Sequence, residues 1–220
     1  MATLPTQEDI KSGQAVYTKN SLLIYDLFVT RFSNQFVWQC PRQVLIRFFK
    51  DNISNNHLDI GVGTGYFLQQ LNLIPGQQRI GLLDMNPDCL AYTKEKLKEL
   101  NPEVYQYSAF EPFTGISKKF DSVSLNYVLH CLPGDMQQKA VVFDHIKAVL
   151  NPGGKLFGTA ILGKGTEKNW LAKTLLNVYN HKKIMHNLND DFETLQSELK
   201  KRFSSVQVKM NGCVALFVAS

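Results

Sequence analysis

The chain has 220 residues and a formal net charge of +5, with 44% hydrophobic and 20% charged residues. This length suits one domain with a single core, and the composition excludes disordered, collagen-like and disulfide-scaffold proteins. The lysines are dispersed or lie in short runs that are typical of solvated helix faces. Nucleic acid is therefore not an expected partner.

The four cysteines are far apart and lack the CxxC or Cys/His spacing of a zinc site: they are Cys40, Cys89, Cys131 and Cys213. We expect reduced thiols and no metal. The polar first residues lack the apolar core of a signal peptide, and no apolar run approaches the roughly 20 residues that span a bilayer. The expectation is a cytoplasmic monomer or homodimer without a membrane partner.

Helical patterns fill the first fifty residues. Apolar side chains recur at helical spacing from Leu22 to Phe32, and a second such stretch, from Val44 to Phe49, follows Pro41. Proline suits the first turn of a helix because its missing N–H has no partner there. We expect a helical cap over residues 1–50.

Strands and helices then alternate as far as residue 162. The predicted strands cover residues 57–60, 79–83, 103–107, 120–125 and 155–162. The predicted helices cover residues 66–73, 87–100 and 135–150, the second of them capped by Asn86. Such alternation predicts right-handed βαβ units and a parallel sheet covered on both faces.

The last sixty residues break this alternation. Two helical patterns, 167–185 and 191–203, precede strands at 206–210 and 214–219 that only three residues separate. Parallel neighbours need a crossover of about a dozen residues, so this pair must be an antiparallel hairpin. The predicted fold class is α/β, a doubly wound, mostly parallel seven-stranded sheet that ends in an antiparallel hairpin.

The segment from Asp59 to Gly65 reads DIGVGTG and carries the strongest signal in the chain. Gly61, Gly63 and Gly65 allow a tight turn and a close approach of the backbone to a ligand, and the following helix offers free N–H groups. A turn that only connects a strand to a helix is the structural alternative.

The residues around the glycines select the kind of ligand. Tyr66 stands where a dinucleotide fingerprint has its third glycine, and the Lys-Ser/Thr pair of a phosphate-binding loop is absent. Asp59 precedes the turn, where a carboxylate repels phosphate and attracts an amine. The pattern indicates a cationic ligand without phosphate.

Asp84 ends the second predicted strand, beside the glycine turn of a doubly wound sheet. A carboxylate about 20 residues after such a turn can accept hydrogen bonds from ribose hydroxyls. The alternative is an aspartate that only begins a turn. Together, Asp59 and Asp84 describe a site for an adenosine with a positively charged tail.

These features, with the turn from Leu150 to Gly154, resemble the class I S-adenosylmethionine-dependent methyltransferases over residues 55–162. The resemblance is to the superfamily and names no substrate. It implies that Asp59, Gly61 and Gly65 line the methionine end of S-adenosylmethionine and that Gly63 also belongs to the cofactor site. Asp84 would hold the ribose, and Met85 would lie against the adenine. The product would be S-adenosylhomocysteine.

The stretch after the third strand departs from the family pattern. The family often has an acidic residue there that contacts the adenine amino group, and this chain has Ser108 instead. The resemblance implies that Ser108 itself, or the backbone of Ala109 or Phe110, makes that contact.

The fourth strand ends in residues with polar side chains. Because ligands bind at the carboxyl ends of such strands, Asn126 is expected to face the methionine moiety or the substrate. His130 is the candidate catalytic residue, since a neutral imidazole can accept a proton from an attacking hydroxyl or nitrogen. A hydrogen-bonded structural histidine is the alternative.

Aromatic residues outside the core motif are expected to cover the substrate. The candidates are Tyr17, Tyr25, Trp38 and Trp170, and the last lies in a helical lid over residues 163–203. Although each aromatic alone is more often a core residue, together they indicate an apolar lid. We expect one domain over residues 1–220, with residues 204–220 as its terminal hairpin.

The resulting hypothesis is methyl transfer to a small, apolar or aromatic molecule, with oxygen favoured over nitrogen or carbon as the acceptor atom. Positioning the acceptor in line with the methyl group supplies most of the rate effect, so no nucleophilic triad is required. The alternatives are an RNA or protein methyltransferase, a nicotinamide-dependent oxidoreductase, and a non-catalytic protein that binds the cofactor.

Overall fold

A computed structural model describes residues 33–220. Within this range seven strands form one sheet: β1 (Asn56–Ile60), β2 (Arg79–Asp84), β3 (Glu103–Gln106), β4 (Phe120–Asn126), β5 (Leu150–Ile161), β6 (Val206–Asn211) and β7 (Val214–Ala219). Their order across the sheet is β3-β2-β1-β4-β5-β7-β6. All pairs from β3 to β5 are parallel, while β7 runs antiparallel to both β5 and β6. The predicted fold class is confirmed.

Seven α-helices accompany the strands within the described range: α1 (Arg42–Asn52), α2 (Tyr66–Gln69), α3 (Pro87–Lys96), α4 (Met136–Lys139), α5 (Val141–Val149), α6 (Trp170–His181) and α7 (Phe192–Lys200). The predicted cap of α3 is confirmed, because Asn86 Oδ1 accepts the N–H of Asp88 at 2.9 Å and Pro87 follows it at the first helical position.

Several elements differ from the sequence prediction; α3 ends at Lys96 instead of residue 100, and α6 covers Trp170–His181 instead of residues 167–185. Helix α2 ends at Gln69 instead of residue 73; it buries only Leu68, so little packing extends it. The predicted helix over 135–150 is divided at Ala140 into α4 and α5. Strand β5 begins at Leu150 instead of residue 155, because Leu150 pairs with Phe120 before an irregularity in the β4–β5 register.

The sheet is covered on both faces, as parallel sheets are. One face packs against α4, α5 and α7, whose buried residues include Phe143, Ile146 and Leu195. The other face packs against α1, α3 and α6, which contribute Phe49 and Leu90 among others. Helices α6 and α7, which lie within the expected lid segment 163–203, therefore both contribute buried residues to the core.

The expected N-terminal helices are described only in part. Helix α1 confirms the second of them, and residues 33–37 form a short π-helical turn before it. The first pattern, from Leu22 to Phe32, lies outside the described residues, as do Tyr17 and Tyr25.

Candidate functional site

The carboxyl ends of β1, β2 and β4 lie side by side in the sheet. Strand β2, the next in the chain, lies on one side of β1, and β4 lies on the other side. The strand order therefore reverses at β1, and open α/β sheets bind ligands at such a topological switch point. Asp59 pairs with Leu82 of β2 and with Ser124 of β4, and Asp84 and Asn126 each lie two residues beyond those partners. The edge thus gathers the three polar residues that the sequence singled out.

The glycine turn after β1 is fixed by hydrogen bonds to β2 and α3. The N–H of Gly61 donates to Leu83 O at 2.7 Å, and the N–H of Gly63 donates to Asp84 Oδ2 at 3.2 Å. Thr93 Oγ1 donates to Gly63 O at 3.0 Å. Hydrogen bonds to β2 and to α3 therefore fix the backbone of the turn before any ligand binds.

All three glycines of the turn have positive φ, but their surroundings differ. A Cβ on Gly61 would lie 2.3 Å from Val128 Cγ2, and one on Gly65 would lie 2.5 Å from Thr93 Cγ2. A Cβ on Gly63 would have no neighbour within 4 Å. Gly61 and Gly65 are thus required by packing, whereas Gly63 faces open space in which a ligand can approach the backbone.

We expect Gly63→Ala to weaken ligand binding at least tenfold while it lowers the free energy of unfolding by only about 1 kcal/mol, the usual cost of a left-handed alanine. Gly76 is the matched control, because it also has positive φ and a Cβ there would have no neighbour within 4 Å, but it lies in an exposed turn before β2. Calorimetry with S-adenosylhomocysteine and chemical denaturation of both variants provide the measurements. Equal affinities of Gly63→Ala and Gly76→Ala would contradict a ligand contact at Gly63.

Asp84 is held by the backbone around it. Its Oδ1 accepts the N–H of Asn86 at 2.9 Å, and its Oδ2 accepts the N–H of Gly63. Burial raises the pKa of Asp84, and these N–H donors oppose the rise. The backbone N–H of Met85 also contributes to holding the carboxylate, which keeps acceptor capacity for an external hydroxyl in this fixed orientation.

Asp59 is only 4% exposed and accepts a hydrogen bond from the Ser124 hydroxyl at Oδ1. Burial raises its pKa to about 7, and the negative charge of Asp84 adds to the rise. A cation beside Asp59 would relieve both unfavourable effects. The two carboxylates therefore favour a positively charged ligand at this edge.

Asn126 holds an unsatisfied donor. Its Oδ1 accepts the Thr159 hydroxyl at 3.2 Å, and its Nδ2 has no hydrogen-bond partner among the described residues although it is buried. A buried N–H without a partner is costly, which indicates that a ligand completes it. Tyr127, next in the chain, has a φ of +58°, a conformation that non-glycine residues rarely adopt and that turns the chain sharply at the edge of the site.

His130 lies in a short 3₁₀ turn (Leu129–Cys131) and is 3% exposed. Its Nδ1 accepts the N–H of Ile161 at 3.3 Å, so the neutral ring carries its proton on Nε2. Burial, helped by the positive charge of Lys139, lowers the pKa of His130 to about 3. This arrangement favours a hydrogen-bond donor over a proton acceptor at Nε2.

The residues predicted to contact adenine lie beside Asp84. Tyr107 N–H donates to Asp84 O at 3.3 Å, which brings the loop after β3 next to the end of β2. In that loop the Ser108 hydroxyl accepts the N–H of Phe110 at 3.3 Å, and the carbonyl of Ala109 lies 3.1 Å from His145 Nδ1. Met85 is partly exposed at the same edge.

The two predicted lid tryptophans have different surroundings. Trp38 is 1% exposed, packs with the core cluster of α1, α6 and β7, and accepts the N–H of Cys213 through its carbonyl at 2.8 Å. Trp38 is therefore a core residue, which is the more frequent role of a single aromatic residue. Trp170 is 76% exposed at the start of α6, and the neighbouring Asn169 Nδ2 donates to Phe36 O at 2.9 Å.

Several residues that shape the site carried no motif. Thr93 and Val128 hold the glycine turn from α3 and from the segment after β4, and nothing in their local sequence marks them. Ser122 and Ser124 did offer a signal, because they are polar residues at alternate positions of a strand that the structure buries almost completely. A hydroxyl in such a place needs a partner, and this implies a buried network.

Within residues 33–220, no group of three or more His, Cys, Asp and Glu side chains is arranged to hold a metal ion. None of the helices in that range has the length and apolar character needed to cross a bilayer.

Comparison with known proteins agrees with this geometry. A family model described as a methyltransferase domain matches residues 58–156. The chain is 32% identical to demethylluteothin O-methyltransferase of Streptomyces thioluteus, over 96% of this chain and 92% of that protein. It is 36% identical to the physcion biosynthesis cluster O-methyltransferase of Aspergillus chevalieri, over 98% of each.

Among solved structures, N-methyltransferase NodS from Bradyrhizobium japonicum WM9, in complex with S-adenosylhomocysteine, aligns with a TM-score of 0.60 at 15% identity, over 92% of this chain and 97% of that one. At this identity the match supports the fold alone. The two relatives match this chain over nearly its whole length, and the matched domain contains the site at the switch point. The chain therefore belongs to the class I S-adenosylmethionine-dependent methyltransferases.

Proposed function

We propose that this chain transfers the methyl group of S-adenosylmethionine to an oxygen atom of a small, largely apolar molecule. The observation that carries the proposal is the edge formed by Asp59, Asp84 and the glycine turn, which presents one buried and one partly buried carboxylate beside a bare stretch of backbone. The names of the two curated relatives, both O-methyltransferases, favour oxygen as the acceptor atom.

The residues at this edge fit S-adenosylmethionine. Asp84 would accept the ribose hydroxyls, Asp59 would face the positively charged methionine end, and Asn126 Nδ2 would donate to its carboxylate. S-adenosylmethionine supplies a methyl group on a cationic sulfur, which is an excellent leaving group. What remains for the chain is to bind, to orient the acceptor and to exclude water.

The substrate would lie over the same edge, between the end of β4 and the segment that precedes α6. Trp170 and Phe36 are the exposed aromatic residues near it, at 76% and 58% exposure, and the hydrogen bond from Asn169 to Phe36 O joins their two segments. We propose that the segment before α6, together with the exposed start of that helix, covers the substrate, and that residues 33–220, with the preceding segment, form one catalytic domain. An apolar rim of this kind suits an apolar acceptor.

We expect His130→Ala to lower kcat about tenfold to a hundredfold and to change the affinity for S-adenosylhomocysteine by less than about twofold. The Nε2–H of His130 is the donor that remains after Nδ1 has accepted the Ile161 N–H, and we assign it to orienting the acceptor oxygen. His130→Gln retains a donor near Nε2, whereas His130→Asn retains only the acceptor for Ile161. Wild-type turnover in both His130→Ala and His130→Asn would remove His130 from the mechanism.

The function itself is tested by incubating the purified chain with S-adenosylmethionine and a panel of phenols, carboxylic acids, amines, total RNA and histones. We expect release of S-adenosylhomocysteine with one or more hydroxylated small molecules, and mass spectrometry and NMR that place the new methyl group on oxygen. A reaction without the protein measures background breakdown of S-adenosylmethionine, and Asp84→Ala should form less product than the wild type when S-adenosylmethionine is limiting. Methylation of nitrogen, RNA or protein instead would overturn the assigned substrate class and leave the family unchanged.

A further inference from the structure

A row of buried polar residues runs along β1 and β4 beneath the candidate site. His57, Ser122 and Ser124 are each fully buried, and Asp59 at the end of the row is 4% exposed. They share one face of the sheet because His57 pairs with Ser122 and Asp59 pairs with Ser124 in the parallel register. Polar side chains in such a place persist only when they are hydrogen-bonded to one another.

The row is a continuous chain of hydrogen bonds. The backbone N–H of Ser54 donates to Ser122 Oγ at 2.9 Å, and Ser122 Oγ lies 2.8 Å from His57 Nδ1. His57 Nε2 lies 3.1 Å from Ser124 Oγ, which donates to Asp59 Oδ1. These hydrogen bonds thus connect the amino-terminal ends of β1 and β4 to the carboxyl ends, where the candidate site lies.

An ionised Asp59 fixes the direction of the chain. A carboxylate can only accept, and each serine hydroxyl has a single proton to give, so Ser124 gives its proton to Asp59. His57 must then carry its proton on Nε2 and donate to Ser124, which leaves Nδ1 as an acceptor for the Ser122 hydroxyl. Every link points toward Asp59, so each bond polarises the next one.

His57 is suited to be a fixed donor and not a charge. Its ring stacks on Phe157 with 5.7 Å between centroids and meets the edge of Phe49 at 5.5 Å. Burial in this apolar surrounding lowers the pKa of His57 to about 3, so the ring stays neutral at every pH at which the protein is expected to work.

We propose that His57 and Ser124 are positioning residues of the methyl-donor site, and that they hold the Asp59 carboxylate ionised and oriented for the cationic end of the cofactor by supplying it with a directed hydroxyl donor. The proposal rests on the proposed role of Asp59. Within residues 33–220, the groups that act on Asp59 are Asp84 of β2, Ser124 of β4 and, through Ser124, His57 of its own strand. The negative charge of Asp84 opposes the ionisation of Asp59, whereas the hydrogen bond that Ser124 donates favours it.

The first test uses the cofactor-free protein. Aspartate carboxyl carbons labelled with ¹³C are titrated by NMR, and the Asp59 signal is assigned with Asp59→Asn. We expect Ser124→Ala to raise the Asp59 midpoint by about one pH unit, the usual effect of losing one hydrogen bond to a carboxylate, and His57→Phe to raise it by about half as much. His57→Gln, which can still donate to Ser124, should restore the midpoint. In the ¹⁵N spectrum of the wild type at about pH 8.5, His57 should carry its proton on Nε2.

Phe157→Leu is the matched control, because Phe157 packs on the His57 ring and takes no part in the chain. We expect this variant to lose thermal stability while its Asp59 midpoint stays at the wild-type value. The proposal would be overturned if the Asp59 titration midpoint stayed at the wild-type value in both Ser124→Ala and His57→Phe, whatever the cofactor affinity of these variants.

The second test measures S-adenosylhomocysteine affinity by calorimetry at about pH 6.5 and about pH 8.5. We expect Ser124→Ala to bind about tenfold more weakly at the lower pH and to approach wild-type affinity at the higher pH, where Asp59 is ionised without help. An equal loss at both values would indicate a structural role only and would overturn the proposal. A shifted midpoint with unchanged affinity would uphold the charge-holding chain and refute Asp59 as a cofactor contact.

Discussion

Asp59→Asn is expected to make the cofactor-free protein more stable and its cofactor binding weaker. The pKa of Asp59 is about 7 in the folded chain against an ordinary value of 3.8. The folded state therefore keeps a proton that the unfolded state has already lost. Stability that is present below about pH 4 is lost as the pH rises through about 7. Asparagine keeps the acceptor for Ser124 and removes the buried charge.

The expected gain in unfolding free energy at about pH 8 is on the order of 2 kcal/mol, and it should shrink toward zero near pH 4. Affinity for S-adenosylmethionine should fall about tenfold to a hundredfold, the range for losing a charge-assisted hydrogen bond. Denaturation curves across this pH range and calorimetry provide the two measurements. Asp51→Asn is the control, because it removes one exposed carboxylate from α1. A stability difference that does not vary with pH would contradict the raised pKa.

Asp84→Ala is expected to weaken binding of S-adenosylhomocysteine by about 1–3 kcal/mol. The variant loses the proposed acceptor of the ribose hydroxyls, and it also releases the N–H groups of Gly63 and Asn86 that the carboxylate holds. Calorimetry measures the affinity, and hydrogen exchange at Gly63 reports whether the glycine turn loosens.

A deoxyribose analogue of S-adenosylhomocysteine separates the two contributions of Asp84. In the wild type the analogue should bind more weakly than the parent compound, and in Asp84→Ala the two should bind alike, because the missing hydroxyl has no acceptor left to lose. If the two compounds still differ to the wild-type extent in the variant, the ribose contact must be assigned to another residue.

Most of the fold followed from local patterns. The alternation of strands and helices, the cap at Asn86 and the short connection before β7 could all be predicted, because each depends on residues close together in the chain. The boundaries that were wrong depend on distant partners. Strand β5 starts early because Leu150 meets Phe120, a residue of another strand that lies far from it along the chain.

The positions of the candidate site residues follow from local patterns in the same way, while their roles toward a ligand stay predictions. Asp59 is the penultimate residue of β1, the glycines follow that strand, and Asp84 is the last residue of β2, so local patterns marked all of them. Val128 against Gly61 and Thr93 on Gly63 were missed because the contacts join separate βα units. Trp38 was expected near the substrate and is buried in the core, since a single aromatic residue carries no information about which surface will cover it.

By itself the sequence determined a class of protein: a parallel sheet with a glycine turn after its first strand, an acid before that turn and another at the end of the second strand. Only the tertiary structure decided how those acids are held. Hydrogen bonds from Ser122 through His57 and Ser124 to Asp59 join residues of β1 and β4 that are distant in the sequence. The buried ion pair between Lys139 and Asp190, at 2.6 Å, is another contact of this kind elsewhere in the fold. Such partners meet because strand register and helix packing bring them together, and neither is written in any local stretch of the chain.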